Sequence, residues 1–134
     1  METMPCIYFN ESTIAHLMNH NTMLNNTCVN EGLQLLLSQL QPERMDQCTI
    51  FSTYVMSYIR EEADDGTLWC SVHHCMYWER AVWIIPIHLQ HPYLHWTLCI
   101  IDMDTRMIWL FDSVTNKSLW MDDVKVSKNY KTIY

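Results

Sequence analysis

The sequence predicts an α+β domain in which N-terminal helices pack on a small mixed sheet. Two observations carry this. Apolar residues recur with a helical period between Leu24 and Ile59. From Val82 onward they gather into three short runs rich in β-branched and aromatic residues. Helices first and strands afterwards suit a fold in which the two kinds of element are segregated. A chain of 134 residues has the length of one domain. Such a domain buries about two-thirds of its unfolded surface.

Residues 1–22 are polar, rich in Asn, His and Thr, and show no assignable period. They read as an N-terminal segment ahead of a domain spanning residues 23–134. Val29, Leu33, Leu36, Leu37 and Leu40 then fall on one helix face. Asn26 or Thr27 suits the N-cap, and Pro42 marks the stop. Phe51, Tyr54, Val55, Tyr58 and Ile59 make a second helical face, which ends at Arg60-Glu61-Glu62 and Asp64-Asp65-Gly66. Residues 67–81 hold two Trp and a Tyr, too apolar for a free linker. They predict a short helix or an irregular packed segment.

The period then changes. VWIIPIHL (82–89), HWTLCIID (95–102) and MIWLFDSV (107–114) read as strands. The middle run is apolar on both faces and so predicts a central strand. Pro86 places the first run at an edge or a bulge. The last twenty residues are polar and contain lysine, with weak strand character at 122–127.

Composition excludes several functions. A formal net charge of −7 offers no basic footprint for nucleic acid. Gly32 and Gly66 are the only glycines, so a Gly-rich phosphate loop cannot form. The longest apolar runs are too short for a membrane span. METMPCIYFNEST lacks the basic start and apolar core of a signal peptide. Cys6, Cys28, Cys48, Cys70, Cys75 and Cys99 are irregularly spaced, which fits reduced intracellular thiols filling a core. Cys70, His73, His74 and Cys75 have poor zinc spacing, and His88, His91 and His95 are a weaker set still. No metal or cofactor is expected.

The candidate chemistry lies in His95 and Asp112. The second and third runs are separated by Met103-Asp104-Thr105-Arg106, a hairpin length. A two-residue loop puts His95 opposite Asp112. A three- or four-residue loop moves its partner to Ser113 or Val114 and leaves Asp112 on the diagonal. Opposite Cβ atoms lie about 4.5–5.5 Å apart and diagonal ones about 7–8 Å, and the two side chains can span either gap. A turn without Gly favours the longer loop. A carboxylate bonded to one ring nitrogen fixes the tautomer and stabilises the imidazolium, while the other nitrogen serves a nucleophile. The plain alternative is a polar residue at a strand end and an Asp that opens a turn.

The stretch IIPIHLQHPYLHWTLCIIDMDTRMIWLFDS resembles the ubiquitin-like-protein-specific proteases, the SUMO-protease family of cysteine peptidases. Their pattern is an Ile-Pro-Ile strand, His-Trp before an apolar strand ending in Asp, and a strand ending in Asp-Ser. MLNNTCVNEGLQLLLSQL (23–40) is similar to the family's Trp-Leu-Asn-Asp segment and following helix, with Leu24, Asn25 and Asn30 matching.

The resemblance implies a papain-like cysteine-protease fold. His95 would be the general base and Asp112 its orienting carboxylate. Trp96 would roof the channel for a Gly-Gly tail, and Asn25 and Asn26 would sit on the substrate-facing loop. The partner would be a ubiquitin-like protein of the SUMO type or its conjugates, in the nucleus or cytoplasm.

The chain departs from the pattern in several places. Met23 replaces the family's Trp, Asn26 replaces an Asp, and residues 90–94 lengthen one loop. No Gln or Cys follows Asp112. Cys99 stands four residues along the strand from His95, about 13 Å away at strand rise. The expectation is therefore an incomplete protease domain, cut short before its catalytic Cys and without turnover of its own. Two other expectations stand beside it: a short form that binds a ubiquitin-like protein without cutting it, and a degenerate gene remnant.

Overall fold

Short polar side chains start three of the helices. Asn10 Oδ1 accepts from the Thr13 amide at 2.7 Å and opens α1 (Glu11–Met18). Asn25 Oδ1 accepts from the Cys28 amide at 2.9 Å and opens α2 (Asn26–Ser38). Asp64 accepts from the amide and hydroxyl of Thr67 and opens α5 (Asp65–Val72). The α2 cap is thus one residue ahead of the expected Asn26 or Thr27. Asp64 begins a helix where the sequence pattern suggested only an ending.

The computed structural model describes residues 9–90 and 94–113. Between α2 and α5 lie α3 (Pro42–Met45), β1 (Cys48–Ile50) and α4 (Tyr54–Arg60). Two 3-10 turns, His73–Cys75 and Tyr77–Glu79, lead into β2 (Val82–Leu89), β3 (His95–Asp102) and β4 (Met107–Asp112). The sheet order is β1-β2-β3-β4, with β1 parallel to β2 and the other pairs antiparallel. The fold is α+β, helices with a small mixed sheet. The expectations for Cys6, His91, Val114 and residues 122–127 fall outside the described residues.

Two expectations are corrected. Phe51 does not belong to the second helix. It follows β1, and its amide donates to the Ile84 carbonyl at 2.9 Å, extending the parallel ladder. Leu36 shares its helix face with Val29 and Leu33, as the period predicts, and is 66% exposed in the open groove those residues line. Pro86 does not mark an edge strand, since β2 is an inner strand of the sheet. It is fully buried in β2, which has a strand on each side. The physical reason is the length of β1, which pairs only with Val82–Ile84. Beyond that short partner, the missing N–H of Pro86 breaks no β1–β2 ladder bond.

Cys28, Ile50, Phe51, Val55 and Cys99 form the buried apolar core with Pro86. The Phe51 ring lies 5.9 Å from Tyr77 and 5.7 Å from Trp83. No helix among the described residues is long and apolar enough to cross a membrane.

The β3–β4 turn positions the later site. Asp102 Oδ1 accepts from the amides of Asp104 and Thr105 at 3.0 and 3.1 Å. Arg106 closes the turn in the left-handed region, with φ 57°. Hydrogen bonds from Thr105 hold the Asp102 carboxyl below its ordinary pKa, as those from Thr67 do for Asp64. A carboxyl lowered in the folded state adds stability that is present above its unfolded pKa. That stability is lost as pH falls through the folded value. Acid should therefore loosen this turn and the start of α5. The amides of Asp104, Thr105 and Thr67 should report it in an NMR titration. Asp102→Ala should remove the acid dependence at Asp104 and Thr105 alone.

Candidate functional site

The site arises from the hairpin register. Asp102 pairs with Met107 across a four-residue loop, and the ladder runs to Thr97 opposite Asp112. Asp112 is therefore diagonal to His95, as the longer loop predicts, and alternation places both on one face of the sheet. His95 Nε2 lies 3.2 Å from Oδ1 and 3.3 Å from Oδ2 of Asp112. The two side chains are 10% and 9% exposed.

This geometry assigns the ring nitrogens. Nε2–H donates to the carboxylate, so the neutral ring carries its basic lone pair on Nδ1. A proton taken up at Nδ1 would make an imidazolium facing a carboxylate in a poorly solvated place. The pair can therefore act as a base and its orienter, the arrangement that activates a thiol or hydroxyl nucleophile. No cluster among the described residues gathers the three His, Cys, Asp or Glu ligands a metal would need.

Trp96 points to the opposite face from His95. Its Nε1 donates to the Leu24 carbonyl at 2.7 Å, and its ring lies 4.6 Å from His88. The bond ties β3 to the segment just before α2. Asn25 is exposed there, with its side chain engaged as the α2 cap. Asn26 is half-buried at the first position of that helix. The structure thus brings His95 to Asp112 and, from the other face of β3, Trp96 to Leu24, the residue before Asn25 and Asn26. An open apolar groove of about 680 Å³ is lined by Leu24, Val29, Leu33, Trp96 and Phe111, with Asp112 on its wall; His95, Asn25 and Asn26 do not line it.

Cys99 does not serve this pair. It shares the His95 face of β3 but is buried opposite Ile85 and Leu110. Burial raises its pKa and keeps the thiol neutral. Cys48 and Cys75 are raised for the same reason. Cys28, Cys48, Cys70, Cys75 and Cys99 are all free thiols.

Two contacts had little signal in the sequence. Asn30 Oδ1 accepts from the Thr53 amide at 2.9 Å and pins α2 to the start of α4. An Asn inside a predicted helix is the available clue, because it is a poor helix former without such a partner. The Leu24 carbonyl that holds Trp96 is backbone and leaves no trace in residue type. Compared with known proteins, the chain matches no protein-family model and no curated sequence.

Proposed function

We propose that this chain is a cysteine-type peptidase domain of the ubiquitin-like protease family, with a papain-like arrangement of helices and sheet. The observation that carries the reading is the buried His95–Asp112 pair, with Nε2 on the carboxylate and Nδ1 turned away from it. In such a domain His95 accepts the proton of a cysteine thiol, and the thiolate attacks the carbonyl carbon of a C-terminal Gly, breaking its bond to the amine that follows. The imidazolium returns that proton to the leaving amine. Water then releases the acyl group from sulfur. Asp112 orients His95 throughout. Trp96, fixed to Leu24, roofs the tail channel beside Asn25 and Asn26. The substrate class is a ubiquitin-like protein of the SUMO type or its conjugates, in the nucleus or cytoplasm, with no cofactor.

Cys99 favours a second reading, in which the chain binds such a protein without cutting it. Its thiol is packed in the core and held neutral.

Titration with a SUMO-type protein, followed by amide shifts, separates these readings from neither being right. Saturable binding that is lost in Trp96→Ala is expected, and no saturable shift at high micromolar concentration contradicts both. A ubiquitin-like probe with a reactive C-terminus should leave the 134-residue polypeptide unlabelled. Labelling that survives Cys99→Ser and is lost in His95→Ala would overturn the binding-only reading and place the nucleophile at a cysteine other than Cys99.

A further inference from the structure

Residues 61–79 carry five carboxylates, Glu61, Glu62, Asp64, Asp65 and Glu79, and no Lys or Arg. All five residues are exposed. The arginines that flank the stretch are engaged elsewhere. Arg60 Nη1 donates to the His88 carbonyl at 2.7 Å. Arg80 lies 4.0 Å from the Asp46 carboxylate and donates to the Asp46 carbonyl.

The same stretch presents Trp69 on α5 and Trp78 in the second 3-10 turn. Their rings stack with centroids 5.7 Å apart and planes 17° apart, and they are 52% and 53% exposed. Asp65 lies one helical turn before Trp69, on the same face of α5. Glu79 directly follows Trp78.

The rings are braced from behind. Trp78 meets Tyr77 edge to face at 5.2 Å, and Tyr77 meets Trp83 at 5.4 Å. His73 flanks Trp69 at 5.7 Å. A partner would find both indoles already in place, with little side-chain ordering left to oppose binding. Large rigid aromatics supply the energy of an interface, and the surrounding charge selects the partner. An acidic segment would be repelled. A purely apolar one would leave the nearby carboxylates without a counter-charge. A guanidinium answers the indole and the carboxylate together.

We propose that the stacked Trp69 and Trp78, with Asp65 and Glu79 beside them, dock an arginine-bearing basic segment of a partner protein. This surface is independent of the peptidase reading. It uses none of the residues assigned to that site.

The test is fluorescence titration of the full chain with three short peptides of alternating Gly, Ser and one variable residue: Arg, Glu or Leu. The Arg peptide should bind saturably and the other two should not. Trp69→Ala and Trp78→Ala should each weaken it about tenfold, as should the double charge reversal Asp65→Lys with Glu79→Lys, which keeps both rings. Thermal unfolding checks that each variant still folds. Equal binding of the Leu peptide would overturn the proposal. So would Arg-peptide binding unchanged in both Trp variants, since net charge alone would then explain it. Concentration-dependent dimerisation abolished by Trp78→Ala would assign the surface to a second copy and equally overturn it.

Discussion

Replacing His95 by Ala should cost about 2–3 kcal/mol of folding stability, measured by denaturant unfolding at neutral pH. The Asp112 side chain is only 9% exposed, and His95 is a hydrogen-bond donor to it. A carboxylate kept from water loses a charge-assisted bond in the variant and regains little hydration. Asp112→Ala should cost a similar amount, because the Nε2–H then loses the carboxylate it donates to. The double variant should cost clearly less than the sum of the two, with a coupling of about 1–3 kcal/mol. Additive costs would mean that the two side chains do not depend on each other. In any form of the protein that turns over, Asp112→Asn should lower kcat about 10⁴-fold with little change in KM, since the substituted group orients the base without binding substrate.

Phe51→Ala should be more damaging still, costing about 3–5 kcal/mol. Phe51 is 7% exposed, and its ring sits against both Tyr77 and Trp83. Truncation removes the apolar side chain that joins the helical half to β2, and leaves a cavity that those two rings cannot fill from fixed positions. A domain of this size has a total stability of about 5–15 kcal/mol, so the variant forfeits a large share of it. Phe51→Leu preserves most of the volume and should cost less than about 1.5 kcal/mol. A lowered midpoint with an unchanged denaturant slope would show a loss of packing alone. Equal costs for Leu and Ala would contradict the cavity account.

The strands were legible because their signal is local. Val82–Leu89 and His95–Asp102 match their sequence runs at both ends, and β4 matches its run from Met107. The loop between Asp102 and Met107 has the longer of the weighed lengths, which made the diagonal placement of Asp112 legible too. The helical face at 29–40 was legible as a helix. Its burial was not, because Leu36 satisfies the period yet stays 66% exposed on the wall of an open groove. Period reports which residues share a face and says nothing of whether another element covers it.

The short β1 left no period to read. Its three residues fit no pattern, and Phe51 just after them happens to fit the period of the following helix. The error at Pro86 has the same origin, since only the unforeseen β1 puts a strand on the far side of β2. α1 lay in a segment whose short apolar patches gave no usable face. Its start depends on one side-chain bond from Asn10. At the site, the residue types of His95, Asp112 and Trp96 were readable, and the bond that fixes Trp96 to Leu24 was not.

The most direct test of the His95–Asp112 assignment is the ring of His95 itself, observed by ¹⁵N and ¹H NMR above the ordinary imidazole titration range. The account predicts the Nε2–H tautomer, with a slowly exchanging Nε2 proton that disappears in Asp112→Ala. A proton found on Nδ1, or an Nε2 proton equally protected in Asp112→Ala, would contradict it.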